Sequence, residues 1–138
     1  MFFSHCKKKN NQPIDKSNIV LYDKSLSVIK ECLQGKWELN YAKGGFTGNY
    51  TKYYHDEYWE FNDTNIKITD SGSVYIDTAI VWKYEPLSLI NGQNTYSMNF
   101  NSRDNVPHKY YVEGIKEDTL SIADFGVDGM GYFFTKSN

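Results

Sequence analysis

The stretch Ser25-Leu26-Ser27-Val28-Ile29-Lys30-Glu31-Cys32-Leu33-Gln34-Gly35-Lys36-Trp37-Glu38-Leu39-Asn40-Tyr41 is where the chain changes its period, and that change decides the fold. Before Gly35, Leu26, Ile29 and Leu33 recur at helical spacing, with Ser25 as an N-cap and Lys30, Glu31 and Gln34 on the other side. Gly35 supplies the stop. After it, Trp37, Leu39 and Tyr41 alternate with Lys36, Glu38 and Asn40, which makes a strand with one apolar face.

Working toward the C-terminus, further strand patterns cover residues 58–62, 65–70, 73–85, 95–100, 108–115, 119–125 and 131–136. Asn62-Asp63, Ser71-Gly72, Asn91-Gly92, Asp104-Asn105, Glu117-Asp118 and Asp128-Gly129 supply turn chemistry between them. Eight strands joined in sequence by short turns close most economically into an all-β, eight-stranded, up-and-down antiparallel β-barrel with a short N-terminal helix, which removes exposed sheet edges. An open sandwich is the competing arrangement. Alternation predicts Leu39, Tyr41, Phe61, Ile66, Ile68, Ile76, Tyr96, Met98, Phe100, Val112, Leu120 and Phe134 inside. It fails within 73–85, where Tyr75, Ala79 and Val81 oppose Val74, Ile76, Ile80 and Trp82, so a bulge or an outer apolar patch is expected there.

Gly35-Lys36-Trp37, placed after a short helix and before eight strand patterns, resembles the Gly-x-Trp that opens the first strand of lipocalin-like (calycin) β-barrels. The resemblance covers residues 26–136 and includes the final stretch Tyr132-Phe133-Phe134-Thr135-Lys136. It implies that a basic residue near the last strand packs across the Trp and closes the barrel bottom. Strand parity brings Lys136 toward Trp37, so these two are the expected barrel-closure pair. The family's usual Arg is absent there, because Arg103, the only Arg of the chain, belongs to the opposite end. Lys is a looser stand-in for a planar guanidinium.

Composition agrees with one β domain. The 138 residues suit a single core, Tyr at 12 outnumbers Leu, and the formal charge of -2 gives no global drive toward nucleic acid. No apolar run approaches the roughly 20 residues that span a bilayer. Residues 1–24 read as a polar tether, with Ile19-Val20-Leu21 touching the domain, and residues 25–138 as the barrel. Phe2-Phe3-Ser4-His5-Cys6-Lys7-Lys8-Lys9-Asn10 resembles the end of a bacterial lipoprotein signal, which implies lipidation at Cys6 and a place in the Gram-negative cell envelope, at the outer membrane or in the periplasm. The plainer alternative is a Lys-rich N-terminus with an incidental thiol. Cys32 reads as a buried free thiol on the helix. Two cysteines and three histidines without paired spacing predict no metal site and no cofactor.

Parity divides the connectors between a closed end, marked by Trp37, and a mouth. The mouth includes residues 43–56, which carry Gly44-Gly45-Phe46-Thr47-Gly48, Tyr50, Tyr53, Tyr54 and His55 and read as a lid or as a loop that merely caps the barrel. The expected ligand-binding residues are Leu39, Tyr41, Phe46, Phe61, Ile76, Tyr96, Met98 and Arg103. Arg103 with His108 would receive a head group or form a solvated surface pair. His55-Asp56-Glu57 is discounted as a cluster, since neighbours in extended chain face opposite ways. No nucleophile or metalloprotease motif occurs. The sequence therefore predicts a non-catalytic, monomeric lipocalin-like lipoprotein that holds a small, largely apolar or amphipathic molecule. The alternative is a protein-binding envelope scaffold or protease-inhibitor-like barrel with a filled interior; an enzyme would bring buried carboxylates or His together in the cavity.

Overall fold

The computed structural model describes residues 13–45, 49–88, 91–126 and 129–138. Cys6 and Phe46 lie outside the described residues. In chain order the elements are β1 (Ile19–Val20), α1 (Leu26–Leu33), β2 (Gly35–Gly44), β3 (Tyr50–Tyr53), β4 (Glu57–Phe61) and β5 (Asn65–Asp70). They continue with β6 (Ser73–Ala79), β7 (Val81–Pro86), β8 (Asn94–Asn101), β9 (Pro107–Lys116), β10 (Thr119–Asp124) and β11 (Met130–Ser137). All eleven strands belong to one sheet in the order β6-β5-β4-β2-β11-β10-β9-β8-β7, with β1 added to β9 and β3 to β2. Its pairings are antiparallel.

The count of eleven differs from the eight strands expected, for two physical reasons. Residues 73–85 do not run as one strand: β6 pairs with β5 and β7 with β8, and the single residue Ile80 turns the chain between them. Residues 43–56 are not one long loop. Tyr50–Tyr53 pairs with Tyr41 to Gly44 as β3, and β4 then takes the other half of β2, Gly35 to Glu38. The loop expected over residues 43–56 is therefore strand at Lys43, Gly44 and Tyr50–Tyr53. Aromatic and β-branched residues such as Tyr50, Thr51 and Tyr53 favour a pleated strand even when they do not alternate with polar ones.

The helix forms where the sequence places it. Ser25 accepts a hydrogen bond from the Val28 N–H, the Gln34 N–H reaches the Lys30 carbonyl, and Ile29, Cys32 and Leu33 form the buried face. Tight reversals follow from residues that tolerate positive φ: Ser71 and Gly72 at 52° and 84°, Glu117 and Asp118 at 49° and 66°. Three register shifts bend the sheet, leaving Asn40, Tyr75 and Glu113 as extra residues on their strands. The bulge expected in residues 73–85 is thus at Tyr75.

The main core lies on the concave side of the sheet and under α1. It includes Leu21, Leu33, Trp37, Leu39, Trp59, Phe61, Ile66, Ile68, Met98, Phe100, Val112, Leu120 and Phe134. A second cluster of Leu87, Tyr111 and Ala123, with Tyr22 and Phe125, covers part of the outer face. Leu21 is wholly buried, and its N–H donates to the Glu113 carbonyl at 2.9 Å, so the end of the N-terminal segment is part of the packed body.

Candidate functional site

Two ends of the fold have different chemistry. At the α1 end, Lys136 Nζ stands 4.5 Å from the Trp37 ring centroid and donates to the Gln34 carbonyl, while Trp37 Nε1 donates to the Leu33 carbonyl at 2.9 Å. Helix, first strand and last strand are joined there.

At the other end the inner face becomes polar. On β4 the alternation Glu57, Trp59, Phe61 points inward, and β5 sets Asp70 directly across from Glu57, Ile68 from Trp59 and Ile66 from Phe61. On β9 the inward series is His108, Tyr110, Val112, and on β11 Tyr132 and Phe134. Of these, Glu57, Trp59, Ile68, Asp70, His108, Tyr110 and Tyr132 line a cavity of about 320 Å³ together with Leu39, Lys52, Tyr54, Tyr75 and Ile76. Its apolar floor is the packed cluster around Trp59, whose ring meets Phe134 edge-on at 5.0 Å.

The aromatic lining is mutually fixed. Tyr110 lies 5.5 Å from Trp59 and 5.7 Å from Tyr132, perpendicular to the latter, and Tyr132 lies 6.2 Å from Trp59. Such tilted and perpendicular pairs match the ring quadrupoles. The Tyr54 N–H is tied at 3.0 Å to the carbonyl of the bulged Asn40, which holds this residue at the rim. Lys52 Nζ stands 4.9 Å from the centroid of the Tyr54 ring.

Glu57 Oε2 accepts from Trp59 Nε1 at 3.0 Å. Burial pushes the Glu57 carboxyl above its ordinary range and the Asp70 charge opposite adds to that, against the lowering effects of the Trp59 N–H and Lys52. His108 stacks on Phe100 at 5.4 Å, and its Nδ1 is 3.3 Å from the Tyr110 hydroxyl. Burial lowers its basicity, opposed by Asp124. Among the described residues the buried Nε2 of His108 meets no hydrogen-bond partner. Burial foremost, with the Asp124 charge next, raises the hydroxyls of Tyr110 and Tyr132 far above the usual phenol value.

Of the residues expected to bind a ligand, Leu39 and Ile76 line this cavity. Phe61 and Met98 are buried in the core, and Tyr96 packs half-buried against Tyr84 at 4.7 Å. Tyr41 is not inside. The bulge at Asn40 reverses the parity of β2, so Ala42 takes the buried side and Tyr41 stacks at 4.7 Å on Phe133 along an outer groove shared with Ile19, Val20 and Ile115. Arg103 is exposed and donates to the Val74 carbonyl, across the gap between β6 and the β8–β9 turn. It is not paired with His108. That gap is a surface cleft of about 510 Å³ which shares Tyr75 and Ile76 with the inner cavity.

Sequence reasoning missed Trp59, Tyr110 and Tyr132 and discounted Glu57 with its neighbours His55 and Asp56. Their signal was present in the alternations 57-59-61 and 108-110-112, which are hidden because Tyr58 and Tyr111 make both runs aromatic on two faces. No family model, no curated protein and no solved structure matches the chain.

Proposed function

We propose that this chain is a lipocalin-like binding protein and that it holds a small amphipathic molecule in the cavity above Trp59. The sheet supports the family reading. Setting aside the two-residue β1 and taking β3 with β4 and β6 with β7 as interrupted single strands leaves eight antiparallel rungs, whose order returns to its start through Ile80. Gly35-Lys36-Trp37 with Lys136 over the indole supports it too.

The observation that carries the ligand reading is the cavity of about 320 Å³, at the small end of the range for ligand pockets, roughly 300–1,000 Å³. Its floor is Leu39, Trp59, Ile68 and Ile76 and its rim is Lys52, Tyr54, Glu57, Asp70 and His108. That division favours the amphipathic of the two ligand classes expected from the sequence, apolar and amphipathic. Envelope placement through Cys6 belongs to the same reading and is carried by residues 2–10 of the sequence alone. Native mass spectrometry of the gently purified chain, followed by Trp fluorescence titration of the emptied protein, tests the reading. Retained mass, or a Trp59-dependent response to small amphiphiles, is expected. A cargo-free protein whose fluorescence no small molecule changes overturns it.

A second reading is acid–base catalysis, favoured by one observation: Glu57 and His108 line the same cavity and their proton affinities are pushed in opposite directions from their ordinary values. Binding accounts better for the partners each group has, Trp59 for Glu57 and Tyr110 for His108, which leave neither bonded to the other.

A further inference from the structure

We propose that the molecule held in the cavity is a small organic cation, an aromatic or alkyl ammonium, with its charge between Glu57 and Asp70 and against the surrounding rings. This inference rests on the ligand-binding reading above and narrows it to a chemical class. The first reason is a like-charge pair. Glu57, half-buried, and Asp70, exposed at the rim, are directly opposed across β4 and β5, a like-charge pair that Lys52 offsets only in part and that a further cation would relieve. Asp124, which takes the Met130 N–H at 2.9 Å, adds a third carboxylate whose charge reaches His108, Tyr54, Tyr110 and Tyr132. Lys52 is the one cationic side chain in the lining, and burial keeps His108 toward its neutral form.

The second reason is the aromatic lining. Tyr54, Trp59, Tyr110 and Tyr132 present rings around one small volume, and ring faces attract ammonium groups most strongly where water is excluded. One face already has such an occupant: Lys52 Nζ lies over Tyr54. A ligand ammonium would take a place of the same chemistry further in. The third reason is His108. In the tautomer whose Nδ1–H donates to the Tyr110 oxygen, Nε2, which has no partner among the described residues, offers a lone pair that an ammonium N–H satisfies. An anion would meet the Glu57 and Asp70 carboxylates; a neutral apolar molecule would leave Nε2 and the carboxylate pair as they are.

Calorimetric titration of the full chain at neutral pH and low salt with benzylamine, benzyl alcohol and benzoate tests this. Benzylamine is expected to bind about tenfold or more tightly than benzyl alcohol, with benzoate weakest. E57Q and D70N should reduce that preference and leave benzyl alcohol nearly unchanged, and K52M should strengthen benzylamine severalfold by removing a competing cation. Circular dichroism checks that each variant is folded. Equal or tighter binding of benzyl alcohol or benzoate overturns the cation inference while leaving a ligand-binding barrel. Failure of all three probes to bind at millimolar concentration overturns both.

Discussion

Lys136 and Trp37 face each other as register partners on β11 and β2, and the Lys136 ammonium lies over the Trp37 ring at 4.5 Å. The same ammonium caps the Gln34 carbonyl at the end of α1. Gly35 makes room for it: a Cβ there would stand 2.8 Å from Lys136 Nζ, on a backbone with φ of 113°. K136M should therefore cost about 1–2.5 kcal/mol, the sum of a surface cation–π contact and a modest hydrogen bond. G35A should cost more, about 1–3 kcal/mol, because strained backbone is added. Since G35A already displaces the ammonium, the double variant should fall short of the sum of the two. Urea unfolding of the four proteins measures this; strict additivity would mean that Gly35 and Lys136 act separately.

A second close approach locks the N-terminal segment in place. At Gly114 an added Cβ would lie 2.6 Å from the Ile19 carbonyl oxygen and 3.3 Å from Val20 Cα, both backbone atoms of β1. G114A is expected to push β1 off β9 and to cost about 1–3 kcal/mol, as overpacking does. Hydrogen exchange should show the loss locally, at the Leu21 N–H that donates to the Glu113 carbonyl. Unchanged protection of Leu21 would contradict it.

The core under the cavity should be the most sensitive place in the chain. Phe134 is wholly buried and meets Trp59 edge-on at 5.0 Å. F134A should destabilise by about 3–5 kcal/mol, whereas F134L should cost much less. In thermal unfolding the two should be well separated. Similar melting temperatures would mean that the Trp59 cluster is loosely packed.

Much of this architecture is legible in the chain because it depends on local rules. The period change at Gly35, the N-cap at Ser25 and the turn at Ser71-Gly72 each follow from one or two residues. What was not legible depends on the sheet as a whole. The extra residue at Asn40 moves Tyr41 to the outer face because β11 passes with one residue fewer, and only the pairing reveals that. Tyr50–Tyr53 reads as loop because it lacks alternation, and becomes a strand because half of β2 needs a partner. The polar cavity was hidden for a related reason: Glu57, Asp70 and His108 are ordinary surface residues in a list and become neighbours only when three strands curl toward one another.

The last prediction concerns pH. Burial raises the Glu57 proton affinity above its ordinary value of 4.5, so the native chain holds that proton where the unfolded chain has released it. Stability from this group is therefore present below pH 4.5 and lost as pH rises through the folded value. His108 has the opposite sign. Its affinity is lowered from 6.5, so its contribution is full above that value and lost as pH falls through the folded one. E57Q, in which the amide oxygen can still accept from Trp59 Nε1, should be more stable than the natural chain at neutral pH, with the advantage fading toward about pH 4. H108F keeps a ring against Phe100 and should flatten the decline below pH 6.5. Urea unfolding across this range reads both effects. An E57Q advantage that grows on acidification would reverse the sign argued for Glu57, and an unchanged acid limb in H108F would remove His108 from the account.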